Sequence, residues 1–220
     1  MDLIVKLAAK YGGVFMQGLC YTLLLSLIAV AAGVALGSLV ALARMSKFRP
    51  LNWLVTGYIE VIRGTPALLQ LFFFYLILPK WFSAIAPSKF ACVAVALVVN
   101  SSAYVSEVIR SGIQAVDRGQ REAGLSLGLT RRQTMLHVVM PQAVKNILPA
   151  LGNEFVTIIK ETSLASTFFV GDLMSAFRTV QGATYLVIEP LLIVGFIYFM
   201  LTFTLSKLVL RFERRMKASD

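Results

Sequence analysis

Long apolar stretches alternate along the chain with short segments rich in Gly, Pro and charged residues. The first stretch, residues 19–43, contains no charged residue and exceeds the roughly 20 residues that a helix needs to cross a bilayer. The pattern predicts an all-α integral membrane protein with five transmembrane helices. They are expected at about residues 19–44, 52–79, 89–113, 141–169 and 190–210.

The predicted helices form one transmembrane domain, residues 19–211, with a short segment at each end. Residues 1–18 are mixed in character and contain a break at Gly12 and Gly13, which is typical of an N-terminal interfacial segment. Residues 212–220 form a basic tail. Within the second span, Gly64, Thr65 and Pro66 predict a locally weakened stretch of helix.

A charged segment, residues 117–141, separates the third and fourth predicted spans. On a helical wheel its apolar side chains face away from its charged ones: Ala123, Leu125 and Leu127 against Arg118, Arg121 and Glu122. This predicts a short helix that lies against another surface rather than crossing the membrane. The alternative is a basic cytoplasmic loop of the kind found in any multispanning protein.

Composition and charge support the membrane assignment and set an orientation. The chain is 58% hydrophobic and only 15% charged, whereas a soluble domain has about 25% charged residues. Its formal charge of +10 would suggest nucleic acid in a soluble protein. Here most Lys and Arg follow the first and third spans or lie in the tail, so the positive-inside rule predicts an N-terminus outside and a cytoplasmic C-terminus. We therefore expect membrane lipid as a partner and no nucleic acid.

The residues that an enzyme would need are not assembled. The chain has no GxxxxGK[S/T] motif to hold nucleotide phosphates. His137 is its only histidine, and a surface or packing role is favoured because plausible partners for a nucleophile are missing. Cys20 and Cys92 both lie in apolar stretches, so neither a disulfide nor a metal site is indicated. We expect a transport subunit that binds no cofactor itself.

Charged residues at the cytoplasmic ends of two spans predict a structural pair. Glu60 and Arg63 lie at that end of the second span, and Glu107 and Arg110 at that end of the third. The two spans run antiparallel, which brings these residues to a similar depth. Because charges within a bilayer normally find partners, a pair between Arg63 and Glu107 is favoured over direct contact with substrate.

The fourth span is the most polar, and two interpretations of its charges stay open. Glu154 lies about 20 Å along a helix from Pro141, near the middle of the bilayer. Glu161 follows on the same face, and an adjacent stripe holds Asn153, Thr157 and Lys160. These groups could meet the ammonium and carboxylate of a zwitterion, or pair with other spans. Five further residues could complete a polar path or serve as interhelical hydrogen bonds: Thr65, Gln70, Asn100, Ser101 and Tyr104.

The 117–141 segment resembles the EAA loop of ABC importer permeases. Glu122, Ala123, Gly128 and Pro141 fall on the positions of that pattern. Three positions depart from it by an exchange of small or apolar residues: Gly124, Val138 and Met140. Residues 59–79, 100–116, 152–166 and 212–217 are similar to polar amino-acid permeases of the histidine/glutamine/arginine type, so the resemblance covers the chain from residue 19 onward.

This resemblance implies a permease in the bacterial cytoplasmic (inner) membrane that translocates a polar amino acid by alternating access. It implies a separate ABC ATPase dimer that holds the ATP, a second permease subunit (identical or sister), and an extracytoplasmic amino-acid-binding protein. The 117–141 segment would contain a coupling helix that docks on the ATPase. The residues expected to couple are Gly119, Arg121, Glu122, Ala123, Gly128 and Pro141. The amino acid would lie between spans two to four near the middle of the membrane.

Two other classes remain as alternatives. A stand-alone channel or ion-coupled secondary transporter would move small polar solutes without an ATPase, although so short a chain shows no inverted repeat. An assembly or signalling subunit would use residues 117–141 to bind a cytoplasmic partner while nothing crosses.

Overall fold

The computed structural model describes residues 2–217, and within them the chain is all helical. Residues 218–220 of the predicted tail lie outside the described residues. The described chain contains nine α-helices: α1 Asp2–Arg44, α2 Arg49–Gly64, α3 Ala67–Trp81, α4 Lys89–Gln114, α5 Arg118–Ser126, α6 Arg131–Gln133, α7 Met140–Glu161, α8 Leu173–Thr184 and α9 Ile188–Lys217. A π-helical turn, Thr134–Val139, precedes α7, and a 3₁₀ helix, Thr162–Phe168, follows it.

Helix α1 is continuous over 43 residues, or about 65 Å. It passes through Gly12 and Gly13 without interruption, so the predicted break is wrong. The reason is packing: Leu7 and Phe15 on either side of the glycines are buried against α8 and α9. That burial outweighs the roughly 1 kcal/mol by which each Gly disfavours a helix.

Small residues let α1 and α4 pack at short range. A Cβ placed on Gly33 would lie 2.6 Å from Ser101 Oγ, and one on Gly37 would lie 2.8 Å from Val105 Cβ. In a bilayer, helices gain little from the hydrophobic effect between them, so close van der Waals contact of this kind carries the association. This pair is the most extensive helix contact in the described residues.

The second predicted span is broken into α2 and α3. Thr65 is extended (φ −119°, ψ 148°), as the residue before a proline prefers, and the chain bends by 110° between the two helices. The weakened stretch predicted at these residues is therefore confirmed, and the span expected at about 52–79 consists of two helices. Pro66 causes the break because it has no N–H to donate and its ring crowds the preceding turn.

Within residues 2–217, three helices are long and apolar enough to cross a membrane: α1, α4 and α9. The bent pair of α2 and α3 provides a fourth if it counts as one span. Helix α7 has a more mixed composition, yet it packs on α1, α4 and α9. Its role as a fifth span stays a prediction.

The ends of the fourth and fifth predicted spans differ from expectation. Helix α7 stops at Glu161 and tightens into the 3₁₀ helix, so residues 162–168 do not continue the α-helix. Between the fourth and fifth predicted spans, Leu173–Thr184 form α8 with Asp172 as its N-cap. Helix α9 runs through the basic tail to Lys217.

The largest core cluster lies where α1, α3, α4 and α7 meet. Its members are fully or nearly fully buried: Leu25, Ala29, Leu71, Val93, Ala94, Ala96, Leu97 and Ile158, with Ala165, Phe168 and Val170 from the segment after α7. A second cluster joins α1, α8 and α9, and a third lies where α4 meets the π turn and the start of α7. Helix α7 is thus held at both ends by packed elements.

Candidate functional site

The 117–141 segment begins with a well-capped helix. The Asp117 carboxylate accepts a hydrogen bond from the Gly119 N–H at 2.6 Å, which satisfies one of the free donors at the start of α5. Gly128 ends the helix with φ +82°. Its N–H donates to Leu125 O at 3.0 Å, and Leu129 N–H donates to Gly124 O at 3.1 Å. This is a Schellman motif, which explains physically why a glycine stands at position 128.

Helix α5 packs directly on the π turn that leads into α7. A Cβ on Gly124 would lie only 2.9 Å from Thr134 Cγ2, so a glycine is required for this approach. Thr134 is buried, and its hydroxyl donates to Thr130 O at 3.0 Å. The departure of Gly124 from the Ala of the EAA pattern therefore has a local cause. It lets α5 sit against the base of α7.

The joint between α5 and α7 is ordered by local hydrogen bonds. Thr130 and Gln133 form a reciprocal capping box at α6. The π turn Thr134–Val139 then runs into α7 without a loop, one residue before Pro141. A proline cannot donate to the carbonyl four residues earlier and crowds it, and the wider π turn lies where that conflict occurs.

The outer face of the 117–141 segment is exposed. Leu127 is 82% exposed and Leu125 is 41% exposed, and Ala123, Arg121 and Glu122 are exposed beside them. A cavity of about 360 Å³ lies between α5 and the π turn. It is lined by Arg121, Leu125, Arg131, Thr134 and Met135. The amphipathic helix predicted from the sequence therefore presents apolar and charged groups together on a free surface of this chain.

Glu107 forms the centre of a charged cluster at the ends of α1, α2 and α4. Its carboxylate pairs with Arg44, lies 2.7 Å from Arg110 Nη2, and lies 3.8 Å from Arg63 Nη1. Its side chain is only 14% exposed. The cluster borders a cavity of about 360 Å³ that Glu60 also lines. Arg63 and Glu107 thus lie together, and Arg44 is a partner that sequence reasoning missed.

Three of the predicted pathway residues form one buried network at the break between α2 and α3. Gln70 Nε2 donates to Ile62 O at 2.7 Å and to Thr65 Oγ1 at 2.9 Å. Asn100 Nδ2 on α4 donates to Gln70 Oε1 at 3.0 Å. Ile62 lies in the last turn before the proline, where carbonyls lose their helical partners, so Gln70 replaces a missing donor. The network holds the bend and ties it to α4.

Ser101 and Tyr104 lie apart from that network. Ser101 is fully buried against Gly33 on α1. The Tyr104 ring lies beneath the Arg63 guanidinium, 5.5 Å from its centroid, and so belongs with the charged cluster. A further polar contact that the sequence did not indicate joins Tyr58 to Ser102, with their hydroxyls 2.6 Å apart.

The polar stripe of α7 has few partners within the described chain. Asn153 and Lys160 are exposed, whereas Glu154, Thr157 and Glu161 are partly buried. The Thr157 hydroxyl donates to Asn153 O at 3.1 Å, a bond within the helix. Among residues 2–217, neither Glu154 nor Lys160 nor Glu161 forms an ion pair, and Glu161 Oε2 is buried without a hydrogen-bond partner. These groups are not joined to the Gln70 network.

Comparison with known proteins identifies similar chains. The model of a family described as "Binding-protein-dependent transport system inner membrane component" matches residues 33–218. The arginine transport system permease protein of Bacillus subtilis (strain 168) is 40% identical over 205 residues, covering 93% of each chain. The glutamine transport system permease protein of Escherichia coli (strain K12) is 35% identical, covering 91% of this chain and 92% of its own.

Two solved structures have a similar fold. The crystal structure of an amino acid ABC transporter with histidines has a chain that is 47% identical, with a TM-score of 0.90, covering 94% of this chain and 96% of that one. An inward-facing structure of the MetNI methionine ABC transporter has a TM-score of 0.75 at 16% identity, covering 92% and 96%. The second likeness shows the fold alone.

Proposed function

The chain belongs to the family of binding-protein-dependent transport system inner membrane components, and we propose that it carries a polar amino acid into the cytoplasm as the permease subunit of an ABC importer. Relatives named as permeases for arginine and for glutamine support the substrate class. The observation that carries the mechanism is the 117–141 segment. It is a capped helix with an exposed outer face, and its inner face packs on the base of α7.

The proposed role of this segment is to receive work from a separate ATPase dimer that binds the ATP. Leu125 and Leu127 would enter an apolar cleft on the ATPase, and Arg121 and Glu122 would pair with charges at its rim. The contact between Gly124 and Thr134 supports this role, because α5 cannot move far without the π turn. ATP can shift the permease between its states only if the docked contacts differ between them.

The proposed amino-acid path runs beside α7 and the bend between α2 and α3. Glu154 and Lys160 carry opposite charges and have no ion-pair partner within the described residues, which suits an ammonium and a carboxylate brought by the substrate. The remaining residues proposed to line or support the path are Thr65, Gln70, Asn100, Tyr104, Asn153, Thr157 and Glu161. Arg63 and Glu107 are proposed as structural, since their charges are already paired.

The rest of the assembly follows from the family. We propose a second permease subunit, identical or sister, and a binding protein that delivers the amino acid on the outer side. The N-terminus would lie outside and the C-terminus in the cytoplasm, as the positive-inside rule predicts. Helix α8 and the N-terminal half of α1, which pack together, would then face the binding protein.

The test compares three variants of the full chain in proteoliposomes with its ATPase and binding protein. Glu122→Lys is expected to remain in the membrane but to lose ATPase co-purification and ATP-driven uptake, because it reverses a charge on the docking face. Glu154→Gln is expected to keep the ATPase and to lose uptake. Glu189→Lys, the same reversal in the first turn of α9 and far from the docking face, is the matched control for docking and is expected to keep ATPase co-purification.

Two results would contradict the proposal. One is normal ATP-driven uptake by Glu122→Lys. The other is uptake driven by an ion gradient in the absence of any ATPase, which would favour the ion-coupled transporter.

A further inference from the structure

A groove between α7 and the C-terminal end of α9 has no role in the transport mechanism proposed above. Its volume is about 500 Å³. Its lining combines apolar side chains with two guanidinium groups: Leu148, Pro149, Gly152, Leu208, Val209 and Phe212 with Arg211 and Arg215. Leu208 and Phe212 are each more than half exposed. An exposed apolar groove with a basic edge is suited to a ligand that has both an apolar part and an anionic group.

Close contact between the helices forms one wall of the groove. A Cβ on Gly152 would lie 2.7 Å from Val209 Cγ2, so the Val209 side chain of α9 packs directly on the backbone of α7 here. Leu148 and Pro149 lie one turn earlier on α7. Leu208 and Phe212 are four residues apart on α9 and therefore share a face. Together these side chains form the apolar part of the groove lining.

The groove opens toward the surroundings of the protein rather than toward its core. Only 6% of the residues in the most apolar stretch of α9 are buried, against 61% in α4. This stretch of α9 ends where its basic residues begin. A hydrophobic stretch of about 20 residues spans the hydrocarbon layer, so Arg211 and Arg215 lie at the depth of the lipid headgroups.

We propose that this groove binds one anionic phospholipid. The acyl chain would lie on Leu148, Leu208 and Phe212. Arg211 and Arg215, four residues apart on the same face of α9, would hold the phosphate, to which guanidinium groups bind in a bidentate fashion. Basic pockets between helices at the membrane surface suit such headgroups.

A second groove on α9 shows why the charge matters. At the N-terminal end of the helix, a cavity of about 650 Å³ is lined by Ile4, Ala8 and apolar residues of α9, with no charged side chain among them. That surface can contact acyl chains, but it has nothing to select a headgroup. The guanidinium pair, rather than apolar area, makes the C-terminal groove selective.

Native mass spectrometry of the detergent-purified full chain tests the proposal, with dioleoyl phosphatidylglycerol and dioleoyl phosphatidylcholine as probes. These lipids share their acyl chains and differ in headgroup charge. Wild type is expected to retain phosphatidylglycerol in preference to phosphatidylcholine. Arg211→Gln with Arg215→Gln is expected to weaken that binding by about 30-fold, as two basic residues near a headgroup would. Phosphatidylcholine binding should not change.

Lys207→Gln with Arg214→Gln is the matched control. It removes the same charge from the same helix but from residues that do not line the groove, and it is expected to keep the wild-type preference. A separate variant, Leu148→Trp, leaves both guanidinium groups and fills the apolar floor. It is expected to weaken the binding of phosphatidylglycerol by about tenfold, which corresponds to the loss of about two buried methylene groups of the acyl chain.

Several outcomes would overturn the proposal. An equal loss of phosphatidylglycerol binding in both double variants would mean that a diffuse basic surface attracts the lipid. Equal retention of the two lipids by wild type would mean that the groove has no site for a headgroup. Displacement of the lipid by millimolar inorganic phosphate would assign the site to a free anion. A change of oligomeric state in the Arg211 and Arg215 variant, without a change in bound lipid, would assign the groove to a second copy of the chain.

Discussion

Substitutions of Gly128 separate backbone strain from contact with a partner. A Cβ at this position would meet nothing within 4 Å, yet φ is +82°, a value that side-chain-bearing residues rarely adopt. The cost of Gly128→Ala therefore arises from the backbone alone. A left-handed conformation costs an L-residue about 1–2 kcal/mol. Replacing Gly by Ala also reduces the conformational entropy of the unfolded chain, which stabilises the folded state by about 0.4–1 kcal/mol, so the net destabilisation is about 1 kcal/mol.

That strain falls on the C-terminal end of α5. The two Schellman bonds, from Gly128 and Leu129, open when residue 128 leaves its conformation. About 1 kcal/mol corresponds to a fivefold change in the opening equilibrium. Amide hydrogen exchange at Gly128 and Leu129, measured on the full chain in detergent, is expected to accelerate about fivefold in Gly128→Ala. Gly128→Asn should change less, because Asn tolerates this region, and Gly128→Val should change most.

Helix α8 provides the control. A Cβ added to Gly182 would also meet nothing within 4 Å, but this residue has no positive φ, so Gly182→Ala should slow local exchange rather than accelerate it. Equal exchange in Gly128→Ala and wild type would refute the assignment of strain. If Gly128→Asn lost as much protection from amide exchange as Gly128→Ala, the glycine would be needed for something other than its backbone conformation.

Two further predictions concern the contact of α5 with the π turn and the charged cluster around Glu107. Gly124→Ala is expected to destabilise the chain by about 1 kcal/mol, because overpacking against Thr134 exceeds the gain in helix propensity. Adding Thr134→Ser should restore the stability, since it removes Cγ2 and keeps the hydroxyl. Thermal unfolding measures both effects, and a double variant no more stable than Gly124→Ala would disprove the contact. Glu107→Gln is expected to cost about 2–3 kcal/mol, because it removes the carboxylate that directly contacts Arg44, Arg63 and Arg110 and leaves Glu60 as the acidic group beside them. An unchanged unfolding temperature would argue that solvent already screens the cluster.

Apolar runs alone predict α1, α4 and α9, because each carries enough hydrocarbon to cross a bilayer. Helix α7 cannot be found in that way. Its charges lower its apolar character, and the span expected at 141–169 extends past the end of the helix at Glu161. The bend between α2 and α3 is visible in Pro66, but its angle depends on Gln70 and Asn100, and Asn100 lies far from it along the sequence.

Errors at single residues have equally specific causes. The sequence groups Ser101 with Asn100 and Tyr104, which are four residues apart and share a helix face. A helix turns about 100° per residue, so Ser101 faces α1 instead, where it packs on Gly33. Arg44 stands in the sequence only as the end of a span. Its pairing with Glu107 depends on how α1 and α4 cross, which periodicity does not encode.

The path from the proposed docking face to the proposed substrate site contains few joints. Helix α5 is fixed at its ends by Asp117 and Gly128, and its inner face rests on Thr134. From Thr134 the chain continues without a loop into α7, on which Glu154 lies about 20 Å from Pro141. The π turn departs from the α-helical hydrogen-bond pattern along this path, and such turns often mark functional positions. Displacement of α5 would therefore bend the chain at the π turn or carry α7 with it, and in either case the polar stripe of α7 moves relative to α4.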